Sequence, residues 1–193
     1  AMIVGDGISP TEVGEIWHML DNRFGIPVTL LPVNVLDKAS LNRYSTIILP
    51  PTVGTFSVSE GVKEKLKTWT QNGGVLIGLK NAINWFNSNG LGRFEIKKDE
   101  EKSEPVKPRA YADIEEFKGA QETTGAILAA QADLTHPLLY GYYENTVPIF
   151  SSNNLFMEKS KSPYSNPLIF TDAPLLSGYL SRENYVKARA SSV

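Results

Sequence analysis

Residues 46–80 read TIILPPTVGTFSVSEGVKEKLKTWTQNGGVLIGLK, and this stretch decides the fold. Thr46-Ile47-Ile48-Leu49 is a short apolar run closed by Pro50-Pro51, which reads as a strand ending at a turn. Ser57 and Ser59 offer caps for a helix over about Glu60 to Gln71. Val62, Leu66 and Trp69 line its inner face, and Glu60, Lys63, Glu64 and Lys67 supply a solvated face with paired charges. Asn72-Gly73-Gly74 ends the helix. Val75-Leu76-Ile77-Gly78-Leu79 is then continuously apolar, as a strand covered on both faces would be. Strand, helix and strand in succession make a βαβ unit with parallel strands.

The same alternation extends upstream. Met2-Ile3-Val4-Gly5 reads as a strand ending in Asp6-Gly7. Ser9-Pro10-Thr11-Glu12 is a helix start: Ser9 can cap, Pro10 suits the first helical position, and Glu12 can close a capping box. Val13, Ile16, Trp17, Leu20 and Phe24 follow at helical spacing, and Gly25 with Pro27 stops the helix. Val28 to Leu31 reads as the second strand, Asp37 to Tyr44 as a short helix, and Asn81 to Phe86 as the start of another. The first half is therefore a doubly wound, mainly parallel α/β layer with helices on both faces. The second half is less regular. Ala126 to Ala132 is open between strand and helix, and Asp133 to Leu138 is a turn around His136-Pro137. Val147 to Phe150 and Leu168 to Phe170 read as strands, and Ser181 caps a helix through Lys187. Residues 95–109 hold ten charges in fifteen positions and read as a charged surface excursion.

Composition narrows the chemistry. The chain has 193 residues, no cysteine and two histidines, so it carries no disulfide, no Cys-based metal site and no thiol nucleophile. Nineteen basic residues against 21 acidic ones give a net charge of −2, which argues against nucleic-acid binding. No apolar run approaches the roughly 20 residues of a membrane span. The length suits one domain, 1–193. Ala1 ahead of Met2 reads as a cut end, so the sequence is expected to be a piece of a larger protein.

In open α/β sheets, ligands sit beyond the carboxyl ends of the strands. That rule makes Asp6, Gly7, Glu15, Thr52, Lys80 and Asn81 the candidate ligand cleft. Gly5-Asp6-Gly7 falls short of a dinucleotide fingerprint, because Pro10 stands where the third glycine belongs. Glu15 and His18 are spaced to share a metal, but the only other histidine is His136, so no metal or cofactor site is assigned; the pair reads as partly buried at the helix–sheet edge. His136 is a candidate base without a nucleophile to serve, and reads as a turn residue. Lys80 sits at the sharp strand-to-helix position after the fourth strand, presented to solvent, where an amine acts only if burial deprotonates it. Glu15, Lys80 and His136 are thus the candidate catalytic residues, with no catalytic set assigned. Tyr140, Tyr142, Tyr143, Phe150, Phe156, Tyr164, Phe170, Tyr179 and Tyr185 read chiefly as core and partner packing, with a sugar or peptide groove as the alternative.

Gly14-Glu15-Ile16-Trp17-His18-Met19-Leu20-Asp21, Tyr44 to Pro50, and Leu66-Lys67-Thr68-Trp69 with Gly73 to Gly78 together resemble a class I glutamine amidotransferase-like domain. More narrowly, they resemble the domain found C-terminal to the catalytic domain of secreted bacterial zinc carboxypeptidases of the carboxypeptidase A type. His136-Pro137-Leu138 with Gly141, and Ser177-Gly178-Tyr179, resemble later segments of that group. The likeness covers about residues 2–90 and, loosely, 126–185. It implies a flavodoxin-like sheet, a secreted or periplasmic location, and a parent catalytic domain in the same chain that alone would hold zinc. Active amidotransferase-like enzymes place a Cys after the Gly-Gly strand, where this chain has Leu79-Lys80-Asn81. The carboxypeptidase zinc motif is His-x-x-Glu, and Glu15-x-x-His18 runs the other way. The resemblance therefore implies a non-catalytic accessory domain, structural or ligand-presenting. The alternatives are a carbohydrate- or peptide-binding module and an unconventional hydrolase using Glu15 and His136. A homodimer is a separate partner expectation.

Overall fold

Four short strands, β1 (Met2–Val4), β2 (Leu30–Pro32), β3 (Thr46–Leu49) and β4 (Val75–Gly78), pair in parallel in the order β2-β1-β3-β4. They belong to a computed structural model that describes residues 1–98 and 110–193. The described chain forms two units, residues 1–93 and 94–193, each with its own apolar core. Residues 99–109, most of the charged excursion, lie outside the described residues.

In the first unit, α2 (Glu60–Gln71) occupies the span its caps and stripe predict. Ser59 Oγ accepts from the Val62 N–H at 3.2 Å, and Val62, Leu66 and Trp69 are buried. The Trp69 indole N–H donates to the Tyr44 carbonyl at 3.2 Å, so the burial leaves no orphan donor. Helix α1 (Pro10–Trp17) starts at Ser9 and Pro10 as the sequence requires. It then widens into a π-helical segment, His18–Arg23, where the Phe24 N–H reaches the Met19 carbonyl. A 3.6-residue stripe cannot continue through an i→i+5 turn. Beyond Trp17 the expected apolar stripe therefore breaks, and Phe24 is 60% exposed; within α1 itself Ile16 is buried and Trp17 is 38% exposed.

The helix expected over Asp37 to Tyr44 is absent. Two 3₁₀ turns, Val33–Val35 and Leu41–Arg43, replace it. Leu36 and Leu41 are both buried, and five helical residues would set them about 140° apart. Broken turns let both reach the core. Lys65 Nζ donates to the Leu36 and Asp37 carbonyls and ties this segment to α2.

Paired residues of a parallel sheet share a face. Ile3, Leu31, Ile47 and Leu49 face the core. On the opposite face Met2 is buried, but Leu30, Val75 and Ile77 are 45%, 51% and 40% exposed. The expectation that β4 is covered on both faces is thus corrected: β4 ends the sheet, and its outer face is open. Helix α3 (Ala82–Ser88) follows it, with Ala82, Ile83 and Phe86 buried.

The second unit is antiparallel, not irregular. β5 (Ala126–Ala132) lies between β6 (Thr146–Ser151) and β7 (Leu168–Gly178). The ambiguous 126–132 run is a strand. Ala126, Leu128 and Ala130 meet Phe156 and Phe170, whose rings pack edge-on at 6.2 Å. β7 runs well past the expected Phe170. Leu128 pairs with Leu175 and Ala130 with Phe170, so β7 bulges between these points. Pro174 sits inside the bulge, where a strand tolerates a missing N–H. Helix α4 (Ile114–Gly119), which the sequence reading does not foresee, precedes β5, and α5 (Arg182–Ala188) starts on Ser181. Ser191 to Val193 then line β7: the Phe170 N–H donates to the Ser191 carbonyl and the Val193 N–H to the Leu168 carbonyl. Among the described residues no helix is long and apolar enough to cross a membrane.

Candidate functional site

The carboxyl end of the parallel sheet is built from three turns. After β4, Leu79 leads into Lys80, whose φ is +51°, and α3 begins two residues later. A non-glycine residue in this left-handed region costs on the order of 1 kcal/mol or more and needs surrounding contacts to hold it. Those contacts are present. The Lys80 ammonium pairs with the Glu12 carboxylate, and both side chains are largely shielded. The next residue, Asn81, clamps the turn after β3: its Oδ1 accepts from the Thr52 N–H and its Nδ2 donates to the Thr52 carbonyl, both at 2.9 Å.

The turn after β1 is joined to the same segment. The Ser9 N–H donates to the Pro51 carbonyl and the Val53 N–H to the Gly7 carbonyl, both at 2.9 Å. Gly7 has φ +76°, and a Cβ there would stand 2.7 Å from Phe56 Cα. The turns after β1 and β3 are therefore bonded to each other through their backbones. Asp6 remains exposed beside them.

Five of the six cleft candidates, Asp6, Gly7, Thr52, Lys80 and Asn81, thus gather at one end of the sheet. Glu15 does not join Lys80: it is exposed on α1, and Glu12 takes that role. Glu12 was legible only as a capping residue. Its backbone N–H does face Ser9 Oγ, at 3.5 Å, but its carboxylate turns to Lys80 instead of back to the cap. The usable signal was positional, since the first turn of the helix after β1 and the residue after β4 both lie above the sheet's carboxyl end. Lys80 is also less open to solvent than its elbow position suggests. A nucleophilic amine needs a neutral nitrogen, and an ammonium held against a carboxylate is instead an electrostatic anchor.

His18 and Glu15 are both exposed, which corrects the reading of a partly buried pair. Among the described residues no group of three or more His, Asp or Glu side chains is placed to hold a metal ion. His136 lies in the second unit and both ring nitrogens are engaged there. Nδ1 accepts from the Leu138 N–H at 3.2 Å, and Nε2 lies 3.0 Å from the Tyr164 carbonyl. A carbonyl only accepts, so this pairing is that of a ring with Nε2–H donating to Tyr164 and Nδ1 accepting from Leu138. It caps the 3₁₀ turn Pro137–Leu139. Nearby, Asp133 accepts from the hydroxyl and the backbone N–H of Thr135, and these bonds hold its carboxyl below the usual carboxylate range. The aromatic list divides against the packing expectation. Phe156 and Phe170 are core, while Tyr140, Tyr142, Tyr143, Phe150, Tyr164 and Tyr179 are exposed.

No family model, curated protein or solved structure matches the chain.

Proposed function

We propose that residues 1–93 form an amidotransferase-like, flavodoxin-like layer whose nucleophile position is filled by Lys80, and that the chain serves as a non-catalytic accessory domain of a secreted zinc metallocarboxypeptidase. One observation carries this reading: Lys80 stands at a strand–turn–helix elbow with φ +51°, and Glu12 holds its ammonium. An elbow of this kind presents one atom to a substrate. Here that atom is spent on an internal ion pair, and the neighbouring turns are bonded to one another. The strand order β2-β1-β3-β4 is the beginning of the flavodoxin-like order. The role left to such a domain is mechanical: packing on, positioning or stabilising a catalytic domain in the same parent chain. Any zinc belongs to that parent domain and not to this segment.

The test has two arms. The purified chain, assayed for glutaminase, esterase and carboxypeptidase turnover, is expected to be inactive. Turnover that disappears in Lys80→Ala overturns the reading. The parent reading frame is expected to encode a peptidase domain with a His-x-x-Glu motif upstream, and deleting this segment should lower that domain's thermal stability. A parent without such a domain ends the accessory-domain proposal.

A further inference from the structure

Four of the chain's eight tyrosines, Tyr140, Tyr142, Tyr143 and Tyr164, lie in loops of the second unit, and the Tyr164 carbonyl is tied to the 136–139 turn through His136. Their exposures are 96%, 53%, 92% and 82%. Large rings left in solvent gain little from burial on folding, and exposed aromatic rings are common at binding sites. The backbone beneath them is fixed. His136 links the Pro137–Leu139 turn to the Tyr164 carbonyl, and Leu139 is buried beside Ala132 and Val147. The Asp133 N–H donates to the Pro167 carbonyl at 2.9 Å and the Ala132 N–H to the Asn145 carbonyl at 2.8 Å. The rings are thus mounted on a pre-organised scaffold, which lowers the ordering cost of binding.

Beside Tyr143 lies an open surface hollow of about 490 Å³, lined by Leu134, Tyr143, Glu144, Asn145 and Thr146. Because it is open to solvent, it suits one face of an extended ligand and not an enclosed small molecule. Its chemistry is mixed: one aromatic face, one aliphatic wall, a carboxylate that only accepts, an amide that donates and accepts, and a hydroxyl that does both. Glu144 and Asn145 are exposed and their side chains have no hydrogen-bond partner among the described residues. Phosphate-bearing ligands are disfavoured by Glu144 and by the absence of a lysine or arginine in the lining. A lipid would leave the polar groups unpaired. A neutral sugar satisfies all of them, because its C–H face stacks on a ring while its hydroxyls both donate and accept.

We propose that this tyrosine-bearing hollow binds a neutral saccharide, with Tyr143 as the stacking platform and Glu144, Asn145 and Thr146 as the hydroxyl-reading groups. The site is separate from the Lys80 elbow, and the proposal stands whether or not that elbow is inert. The test is native affinity electrophoresis of the full chain in gels containing hydroxyethylcellulose, xylan, galactomannan or glycogen, followed by calorimetric titration with the matching oligosaccharide. Retardation by at least one polysaccharide is expected, with affinity falling about tenfold or more in Tyr143→Ala and Asn145→Ala. Tyr111→Ala, which removes a 92% exposed ring elsewhere, should leave retardation unchanged. Tyr143 is itself exposed, so its variant should keep the wild-type circular dichroism spectrum. No retardation in any gel overturns the proposal, as does retardation that survives both variants. Concentration-dependent self-association, or binding to casein, that Tyr143→Ala abolishes while no polysaccharide retards the chain would show a protein-docking surface instead.

Discussion

Lys80 combines two opposing terms at one position: a strained left-handed backbone and an ion pair with Glu12. Truncation to alanine removes the ion pair and leaves the strain. Truncation to glycine removes both, because glycine adopts positive φ without a Cβ clash. A largely but not fully shielded pair is worth about 1 kcal/mol, and relief of the strain is of similar size. Lys80→Gly should therefore be more stable than Lys80→Ala by about 1 kcal/mol, the reverse of the order in an ordinary helix. Urea titration of the two variants measures this, and an alanine variant at least as stable as the glycine one would remove the strain argument. A second residue-scale expectation concerns Asp133. Its folded carboxyl titrates below the usual range chiefly through the Thr135 hydroxyl bond, with the Thr135 N–H next. A depressed acid stabilises the fold above its unfolded pKa and loses that contribution as pH falls through the folded value. Thr135→Val should move the Asp133 titration upward toward the ordinary carboxylate value, followed by carbon-detected NMR. An unmoved titration would assign the shift to another cause.

Strand β4 is positioned by two aromatic rings that rest on two glycines. A Cβ on Gly74 would stand 2.4 Å from the Trp69 ring of α2, and one on Gly78 would stand 2.4 Å from the Phe86 ring of α3. Neither ring has room to retreat, since Trp69 and Phe86 are 5% and 3% exposed. Gly78→Ala should cost about 1–3 kcal/mol by overpacking, and the same change at Gly90, where φ is positive but nothing lies within 4 Å, should cost less. Equal losses at the two sites would contradict the packing account. These contacts also mark how far the sequence could be read. The caps and stripe of α2 and the run Thr46 to Leu49 were legible because local signals agreed with tertiary demand. Gly73-Gly74 was legible only as a helix stop, although Gly74 also makes room for Trp69. The bulge in β7 was hidden by Thr171, Asp172 and Pro174, which interrupt any alternating pattern. The π-helical segment after Trp17 has no local signal, and it turns Phe24 out of the stripe. At the strand ends, the position of Lys80 followed from the βαβ reading, but its partner Glu12 did not, because a capping residue and an ion-pair residue look alike in sequence.

The two units have different sheets, and each strand pairing closes within its own unit. All four parallel strands, with the buried residues from Ile3 to Phe86, lie in residues 1–93. The Lys80–Glu12 pair and the Asn81 clamp lie there too. The chain's three tryptophans, Trp17, Trp69 and Trp85, also fall in this unit, so indole emission reports on it alone. A 93-residue unit is above the size at which one core can sustain folding without disulfides or metals. A fragment of residues 1–93 should therefore fold cooperatively, with the Trp69 indole still buried. Its emission should be blue-shifted as in the full chain and should redden in one sigmoidal urea transition. Trp69→Phe should redden the emission, since Trp69 is only 5% exposed and Trp17 is 38% exposed, with half-buried Trp85 supplying the blue-shifted remainder. A fragment that emits like free tryptophan before any denaturant is added would mean that the parallel sheet depends on residues 94–193 for its stability, and the elbow would then have to be studied only in the full chain.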